Sequence, residues 1–258
     1  CLADDMGLGK TLQAITLLLD THHPADGGPA EGASLVVAPT SVVHNWRAEI
    51  EKFAPQLEVL VHHGIDRDPA AIEGAEIVIT SYALLRGDLP LLGAKHWRIV
   101  ILDEAHHIKN PDSQVAKAAR SLKADHRLAL TGTPLENHLI ELWSVFQFLM
   151  PGFFGSRAGF TKRYAQPIQR DNDQRALKAL RRRLRPFILR RHKREVATEL
   201  PPRQEQVLYC ELGPAQRKLY EQVKATFRDA VLGRVARDGL GAATLSVLEA
   251  LMRLRQTC

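Results

Sequence analysis

The stretch that decides the fold of this chain is Met6-Gly7-Leu8-Gly9-Lys10-Thr11, and a helical run from Leu12 to Leu19 follows it directly. A loop with two glycines can turn several backbone N–H groups towards one anion at the start of a helix. Lys10 would place a positive charge on the outer phosphates of a polyphosphate, and Thr11 would offer a hydroxyl to magnesium. The pattern predicts a phosphate site at residues 6–11, with a glycine-rich turn as the simpler alternative.

A pair of acidic residues lies further along the chain, directly after an apolar run. The run from Ile99 to Leu102 has the composition of a buried strand and leads into Asp103, Glu104, Ala105 and His106. Ligands of open α/β folds bind at the carboxyl edge of a parallel sheet. We therefore predict that Asp103 holds hydrated magnesium and that Glu104 orients and deprotonates an attacking water. A surface acidic pair at a strand end is the alternative, which the upstream loop disfavours.

A third segment, Leu130 to Pro134, also follows a strand-like run. Its hydroxyls and its turn are placed to contact His106 or the edge of the outermost phosphate. We therefore predict a coupling role for His106, Thr131, Gly132 and Thr133, which would pass the state of the phosphate site onward. The same segment taken alone would be a routine turn.

Short β-rich runs alternate with helical stretches from residue 1 to about 149, which is the pattern of βαβ units around a parallel sheet. The predicted strands are Leu35 to Ala38, Val59 to His62, Ile77 to Thr80, Ile99 to Leu102 and Leu128 to Thr131. An amphipathic helix is predicted from Val43 to Phe53, with Ser41 as its N-cap. The fold class is thus α/β, a parallel sheet with helices on both faces.

The character of the chain changes near Pro151 and Gly152, after which it is helical and basic. One long helix is predicted after Pro214 and another from about Leu245 to Arg255. The predicted domains are therefore residues 1–150, which carry the phosphate site, and residues 151–258, a helical and basic protrusion with a linker.

The net charge of +6 is unevenly distributed. Residues 157–203 carry 15 Lys and Arg against 4 Asp and Glu, whereas residues 1–156 carry 12 against 19. A basic segment beside an acidic domain favours a polyanionic partner that touches one region of the surface. A solvated helical face rich in arginine would give the same composition. The leading candidates for nucleic-acid contact are Arg181, Arg182, Arg183, Arg190 and Arg191.

Composition excludes several classes of protein. No apolar run approaches the roughly 18 to 20 residues that a membrane helix needs, and no signal-peptide pattern is present, so we expect a cytoplasmic protein without membrane contact. In a bacterium this would include the nucleoid, and in a eukaryote the nucleus. The three cysteines are far apart in the sequence and do not have the spacing of metal ligands, so the sequence predicts neither a disulfide framework nor a zinc site.

The motifs occur in the order and the longer context of one family. Four segments resemble motifs of the Swi/Snf-type ATPases of helicase superfamily two. Leu2 to Thr11 resembles motif I, and Val36 to Pro39 with Trp46 resembles motif Ia. Asp103 to Asn110 resembles motif II, and Leu130 to Asn137 with its extension Glu141 to Ser144 resembles motif III. The stretch Arg185 to Arg191 with Lys193 looks like the link out of the family's first lobe. Asp4 stands where the strict phosphate loop has its first glycine, which disfavours standard P-loop kinases and GTPases.

The resemblance implies a RecA-like first lobe with helical protrusions, ATP and magnesium as cofactors, and tracking along double-stranded DNA without strand separation. It also implies that Pro39, Ser81 and Tyr82 lie near the side that faces DNA. A second RecA-like lobe with an arginine finger is expected after Cys258 in the intact protein, and the adenine-recognition motif before Cys1. Glu136 stands where eukaryotic members usually have Gln, which indicates a bacterial branch.

Two other functions remain open at this point. A DEAD- or DEAH-type RNA helicase shares motifs I and II, although Gly132-Thr133-Pro134 and the Glu-Leu-Trp-Ser extension disfavour it. A catalytically silent nucleic-acid-binding scaffold is the second alternative, which intact Lys10 and Glu104 disfavour.

Overall fold

The structure, a computed structural model, describes residues 1–25, 27, 32–132, 138–199, 201 and 205–258, with the backbone alone at 238 and 240. Its centre is a five-stranded parallel sheet in the order β2-β3-β1-β4-β5. The strands are β1 Ser34–Ala38, β2 Val59–Val61, β3 Ile77–Ser81, β4 His96–Leu102 and β5 Lys123–Ala129. All five predicted strands are present. The predicted α/β parallel architecture is confirmed.

The helices surround this sheet and continue beyond it. They are α1 Lys10–His22, α2 Val43–Phe53, α3 Tyr82–Gly87, α4 Leu89–Leu92, α5 Gln114–Ser121, α6 Leu139–Leu149, α7 Arg157–Phe160, α8 Gln166–Arg170, α9 Gln174–Leu184, α10 Lys193–Val196 and α11 Pro214–Gln256. Short 3-10 turns cover Thr40–Val42, Ala70–Glu73 and Ala105–Ile108, and a π-helical turn covers Thr161–Ala165. None of the helices in the described part of the chain is long and apolar enough to cross a membrane.

The two faces of the sheet bury alternate side chains of the same strands, because successive residues of a strand point to opposite sides. Val36 of β1 packs with α1 and α2 on one face, and Val37 packs with α5 and α6 on the other. Both faces are therefore covered, which explains the unbroken Val, Ile and Leu runs. The edge strand β5 begins at Lys123, five residues before the apolar run, because its first half is partly exposed and tolerates polar residues.

Helix α6 connects the sheet to the segment that follows it. Val145 and Phe148 belong to the core on one face of the sheet, whereas Leu142 and Phe146 pack with aromatic side chains of residues 154–164. A helix that is apolar all round must be buried on all sides. The sequence-based boundary at 150 therefore differs from the structure, in which the compact units are Cys1–Leu200 and Pro201–Cys258.

The second unit is dominated by α11. Its backbone leaves the helical region at Gly239, which has a φ of 78°, a value that residues with a side chain rarely adopt. Gln216 near the start donates to the carbonyl of Thr257 at 2.9 Å, so the two helical halves fold back on each other. The sequence predicted two helices here, and the break at Gly239 separates them.

Candidate active site

The predicted phosphate loop leads into the first turn of α1. Gly7 has a φ of 82° and Gly9 a φ of 71°, and Gly9 is the N-cap of α1. Glycine adopts these left-handed angles without strain, so both positions require it. Among the described residues no side chain caps α1, and no acidic residue lies in its first turn. The N-terminus of α1 is therefore open to an anion from outside the chain.

Lys10 lies at the first position of α1, and its ammonium group folds back over the loop. Lys10 Nζ donates to the carbonyl oxygens of Asp4 at 2.8 Å and Asp5 at 3.3 Å. Gly132 is its neighbour, since a β-carbon added there would lie 3.9 Å from Lys10 Nζ and 3.1 Å from Met6 Cγ. The predicted coupling glycine thus lies beside the phosphate loop.

The two predicted acids stand at the carboxyl end of β4. Trp46 Nε1 donates to Asp103 Oδ2 at 2.8 Å, and the backbone N–H of Glu104 donates to Asp103 Oδ1 at 2.9 Å. Burial raises the pKa of Asp103 above its usual value, and the hydrogen bond from Trp46 opposes that effect. Trp46 belongs to α2, so a helix packed on the sheet orients this carboxylate.

Glu104 has a backbone conformation that is rare for a residue with a side chain. Its φ of 49° and ψ of 56° lie in the left-handed region, and it begins the 3-10 turn Ala105–Ile108. Such strained positions cluster at functional sites. Glu104 Oε2 lies 3.2 Å from His106 Nδ1, so His106 fixes the orientation of this carboxylate.

The phosphate loop, α2 and the acid pair border one cavity of about 440 Å³. This volume falls within the roughly 300–1,000 Å³ of small-molecule sites. The lining residues that the sequence predicted are Met6, Gly7, Gly9, Lys10, Thr11, Asp103 and Glu104. Leu8, the remaining residue of the predicted set, does not line the cavity. The fold thus brings together residues that are far apart in the chain.

The predicted coupling residues lie behind the acid pair. His106 and Thr131 both line a small cleft of about 20 Å³ that also touches Ile188. Thr131 is buried, and its backbone N–H donates to Leu2 at 3.0 Å. Thr133, the fourth predicted coupling residue, lies outside the described residues. Among the described residues, His106 thus contacts Glu104 and shares a cleft with Thr131 and Ile188, while Gly132 adjoins the phosphate loop.

Ser81 and Tyr82, predicted to lie near DNA, are buried in this structure. The Tyr82 hydroxyl donates to the carbonyl of Asp103 at 2.6 Å, and its ring stacks on His107 with 4.6 Å between centroids. The Ser81 hydroxyl accepts from the backbone N–H of Leu84 and caps α3. Both side chains make their polar contacts inside the protein, so in this conformation Tyr82 supports Asp103 and Ser81 caps α3. Pro39 is half-buried, directly before the Thr40–Val42 turn.

The predicted nucleic-acid arginines divide into two groups. Arg181 and Arg182 are exposed on α9, where they border an open groove of about 600 Å³ together with Arg175 and Lys178 of α9 and its C-cap residue Arg185. Arg183 is exposed too, but it donates to the carbonyl of Phe153 at 2.7 Å and lies over that ring. Arg190 is exposed.

Arg191 departs from its predicted role. Its guanidinium binds Asp4, whose side chain is fully buried, although the arginine side chain itself is 39% exposed. A buried carboxylate requires such a partner, because an unpaired charge in the interior is costly. No local sequence pattern predicts this pairing, because the two residues are 187 positions apart.

Sequence reasoning misses two further functional contacts. The apolar spacing assigns Trp46 to the buried face of α2, yet its indole N–H holds Asp103. Gln13 has no assigned role beyond its place in a helix, yet its side chain bonds the phosphate loop. The one signal for Trp46 is a polar ring atom on a predicted core face, where buried tryptophan N–H groups usually find a partner.

One protein-family model matches the whole chain. The model of the SNF2-related domain covers residues 1–258. The chain belongs to the SNF2-related family. The resemblance predicted from the motifs is thereby confirmed.

Individual relatives support the assignment. YwqA of Bacillus subtilis (strain 168), a protein proposed to be an ATP-dependent helicase/translocase, is 43% identical over 100% of this chain and 28% of its own length. The TATA-binding protein-associated factor MOT1 of Saccharomyces cerevisiae is 36% identical over 100% of this chain and 15% of its own. The SWI2/SNF2 ATPase core of Sulfolobus solfataricus in complex with dsDNA is 39% identical, with a TM-score of 0.71, covering 100% of this chain and 53% of that one. The chain thus spans about half of that core and a smaller share of the relatives.

Proposed function

We propose that this chain is the nucleotide-binding lobe of an ATP-dependent motor that tracks along double-stranded DNA. The observation that carries the proposal is the single cavity lined by Lys10, Thr11, Asp103 and Glu104. These four residues bring to one cavity a positive charge for the phosphates, a hydroxyl, a carboxylate that can bind a metal, and a base. The names of the relatives, an ATP-dependent helicase/translocase and an ATPase core, support the same function.

The residues present fit ATP with magnesium. The left-handed glycines and the uncapped start of α1 form a cradle for the outer phosphates, and Lys10 adds the positive charge. Thr11 and Asp103 would hold magnesium, which neutralises the negative charge that develops on the transferred phosphate. Asp103 is oriented for this by Trp46. The residues that would bind ATP and magnesium already stand around one cavity.

Glu104 is the group placed to activate water. Its carboxylate lies at the cavity wall and is held by His106, whose ring contacts it at 3.2 Å. A carboxylate in this position accepts a proton from water as the water attacks the outermost phosphate. We propose that His106, Thr131 and Gly132 transmit the outcome to the rest of the chain, because His106 contacts Glu104 and lines one cleft with Thr131, while Gly132 adjoins Met6 and Lys10.

Double-stranded DNA is the proposed track. The Sulfolobus core was solved with dsDNA, and α9 of this chain offers an exposed basic groove. Phosphate contacts of this kind bind without reading sequence. A second RecA-like lobe is proposed as the partner that completes the motor, in keeping with the greater length of the relatives. We propose that the protein acts in the cytoplasm or nucleoid of a bacterium, or in the nucleus if the source is a eukaryote.

The direct test is ATP hydrolysis by the full-length protein with duplex DNA and, separately, with duplex RNA. We expect duplex DNA to stimulate turnover and duplex RNA to have little effect. Stimulation by RNA with separation of its strands would instead assign the chain to an RNA helicase. No hydrolysis with either, together with no ATP binding, would leave a silent scaffold.

Trp46→Phe should weaken magnesium use while leaving the fold intact. Phenylalanine keeps an aromatic ring in the core, although it is smaller than the buried indole, and it cannot donate to Asp103, so the carboxylate loses its orientation. A hydrogen bond to a charged group is worth roughly a factor of ten. We expect the magnesium concentration for half-maximal ATP hydrolysis to rise about tenfold in the full-length protein. Unchanged magnesium dependence would show that Trp46 serves only as packing.

Neutralising α9 should weaken DNA binding. In Arg181→Gln/Arg182→Gln, Arg183 is left in place because it holds Phe153. On duplex DNA the slope of log affinity against log salt changes by about 0.9 for each phosphate that the protein no longer neutralises. We therefore expect lower affinity and a slope smaller by about 1 to 2. The matched control is Arg170→Gln, an exposed residue at the end of α8. The same affinity and slope in the double variant would make the run a solvated face.

A further inference from the structure

Residues 187–193, here called the link segment, pair with the segment that feeds the phosphate loop. The N–H of Leu189 donates to Cys1 at 3.0 Å, that of Ala3 to Leu189 at 2.7 Å, and that of Asp5 to Arg191 at 3.1 Å. These alternating bonds are those of two parallel strands. The link segment therefore lies as a parallel strand beside residues 1–5, which lead into the phosphate loop.

Arg191 supplies the ionic partner of Asp4. The backbone N–H of Arg191 donates to Asp4 Oδ1 at 2.9 Å, its Nε contacts both carboxylate oxygens at 3.1–3.2 Å, and its terminal nitrogen bonds Oδ2. Burial alone would raise the pKa of Asp4, but the hydrogen bonds from Arg191 outweigh it and lower the pKa below its usual value. Asp4 therefore stays ionised inside the protein as long as Arg191 is docked.

The same guanidinium reaches the far end of the loop through Gln13. Its terminal nitrogen donates to Gln13 Oε1 at 2.8 Å, and Gln13 Nε2 donates to the carbonyls of Leu8 at 3.0 Å and Gly9 at 3.4 Å. At the near end, the carbonyl of Asp4 accepts from Lys10 Nζ. One arginine thus holds the residue that enters the loop and, through one glutamine, the residues that leave it.

Three further contacts extend the connection. The backbone N–H of Lys193 donates to Asp5 Oδ2 at 3.0 Å, and the ring of His192 lies 3.4 Å from Asp5 Oδ1. Lys193 Nζ lies 3.0 Å from the position that a β-carbon on Gly7 would take. The link segment therefore contacts Asp5 at the entry to the phosphate loop, lies next to Gly7 in its turn, and reaches its exit only through Gln13.

We propose that Arg191 is a positioning residue for ATP, which sets both ends of the phosphate loop through Asp4 and Gln13 and ties the loop to the link segment. The proposal rests on ATP binding at this loop, the function proposed above. Because coupling between two sites is reciprocal, ATP in the loop stabilises the docked link segment to the same extent that docking favours ATP. Nucleotide occupancy is thereby passed to the chain that continues towards residue 201.

Two variants of the full-length protein test the positioning role. Arg191→Lys keeps a positive charge for Asp4 but cannot bond Asp4 and Gln13 together, because an ammonium lacks the planar fork of a guanidinium. Gln13→Leu leaves the ion pair intact and removes only the arm to Leu8 and Gly9. Arg194→Lys, an exposed residue of α10, is the matched control. The measurements are the Kd of a fluorescent ATP analogue without nucleic acid, the thermal midpoint, and KM and kcat with DNA.

Both variants are expected to raise the Kd about tenfold or more, since a hydrogen bond to a charged group is worth roughly that factor. KM for ATP should rise with kcat largely retained, and the thermal midpoint should stay near that of the unchanged protein. The control should bind ATP normally. A normal Kd in either variant overturns the proposal, because a purely structural ion pair would survive both changes.

Hydrogen exchange tests the coupling itself. A non-hydrolysable ATP analogue is expected to slow exchange at the amides of residues 187–193 in the unchanged protein, and to slow it less in Gln13→Leu. Exchange that does not respond to the analogue while the analogue binds would overturn the coupling. Failure of the unchanged protein to bind ATP at all would instead refute the proposed function, on which this inference depends.

Discussion

Glu104→Gln is expected to bind ATP with normal affinity and to hydrolyse it roughly 10² to 10⁴ times more slowly in the full-length protein. Glutamine has the shape of glutamate, so the strained turn at Glu104 and the cavity wall should persist. An amide cannot accept the proton of the attacking water at neutral pH, so the loss falls on turnover. Binding of a fluorescent ATP analogue and steady-state phosphate release separate the two quantities.

Lys10→Ala is the matched variant with the opposite effect. Removing its ammonium takes away the positive charge that lies over the phosphate loop, so ATP binding itself should be lost. Equal ATP affinity in Lys10→Ala and the unchanged protein would refute the phosphate site. Turnover at the normal rate in Glu104→Gln would show that another group activates the water.

The second large effect concerns residues 1–258 taken alone. Their ATP turnover with saturating duplex DNA is expected to be about 10³ to 10⁵ lower than that of a chain continuing through a second RecA-like lobe. An arginine donated across the site stabilises the charge that develops on the transferred phosphate. Among the described residues that line the cavity there is no arginine. Arg191, which lies next to the segment that enters the loop, is already bound to Asp4 and Gln13.

The decisive measurement compares steady-state ATP hydrolysis by the two chains at the same DNA concentration. Residues 1–258 should also bind ATP weakly, because one wall of the site would come from the second lobe. The Glu104→Gln variant of the longer chain provides the background rate. Comparable turnover by the shorter and longer chains would show that the first lobe is self-sufficient and that no second lobe contributes to hydrolysis.

The sequence predicted the elements whose signal is local. The apolar runs indicated all five strands, because a strand covered on both faces must be apolar at successive positions. The glycines of the phosphate loop, Lys10 and the acids after β4 were found because their chemistry restricts which residues can stand there. The spacing of Val43, Trp46, Ile50 and Phe53 predicts helix α2, which is present, although Val42 and not Ser41 is its N-cap.

The tertiary structure decided what depends on contacts between distant parts of the chain. The first half of β5 is polar because it lies at the sheet edge, and residues 151–200 belong to the first unit because α6 is apolar on the side that faces them. Tyr82 is buried beneath Asp103, and Arg191 pairs with Asp4. Periodicity and motif spacing report only on neighbours along the chain. The ion pair between Asp4 and Arg191 therefore has no signature in the local sequence. An arginine that binds DNA and an arginine that neutralises a buried carboxylate look alike in the sequence, and only the fold brings the carboxylate to Arg191.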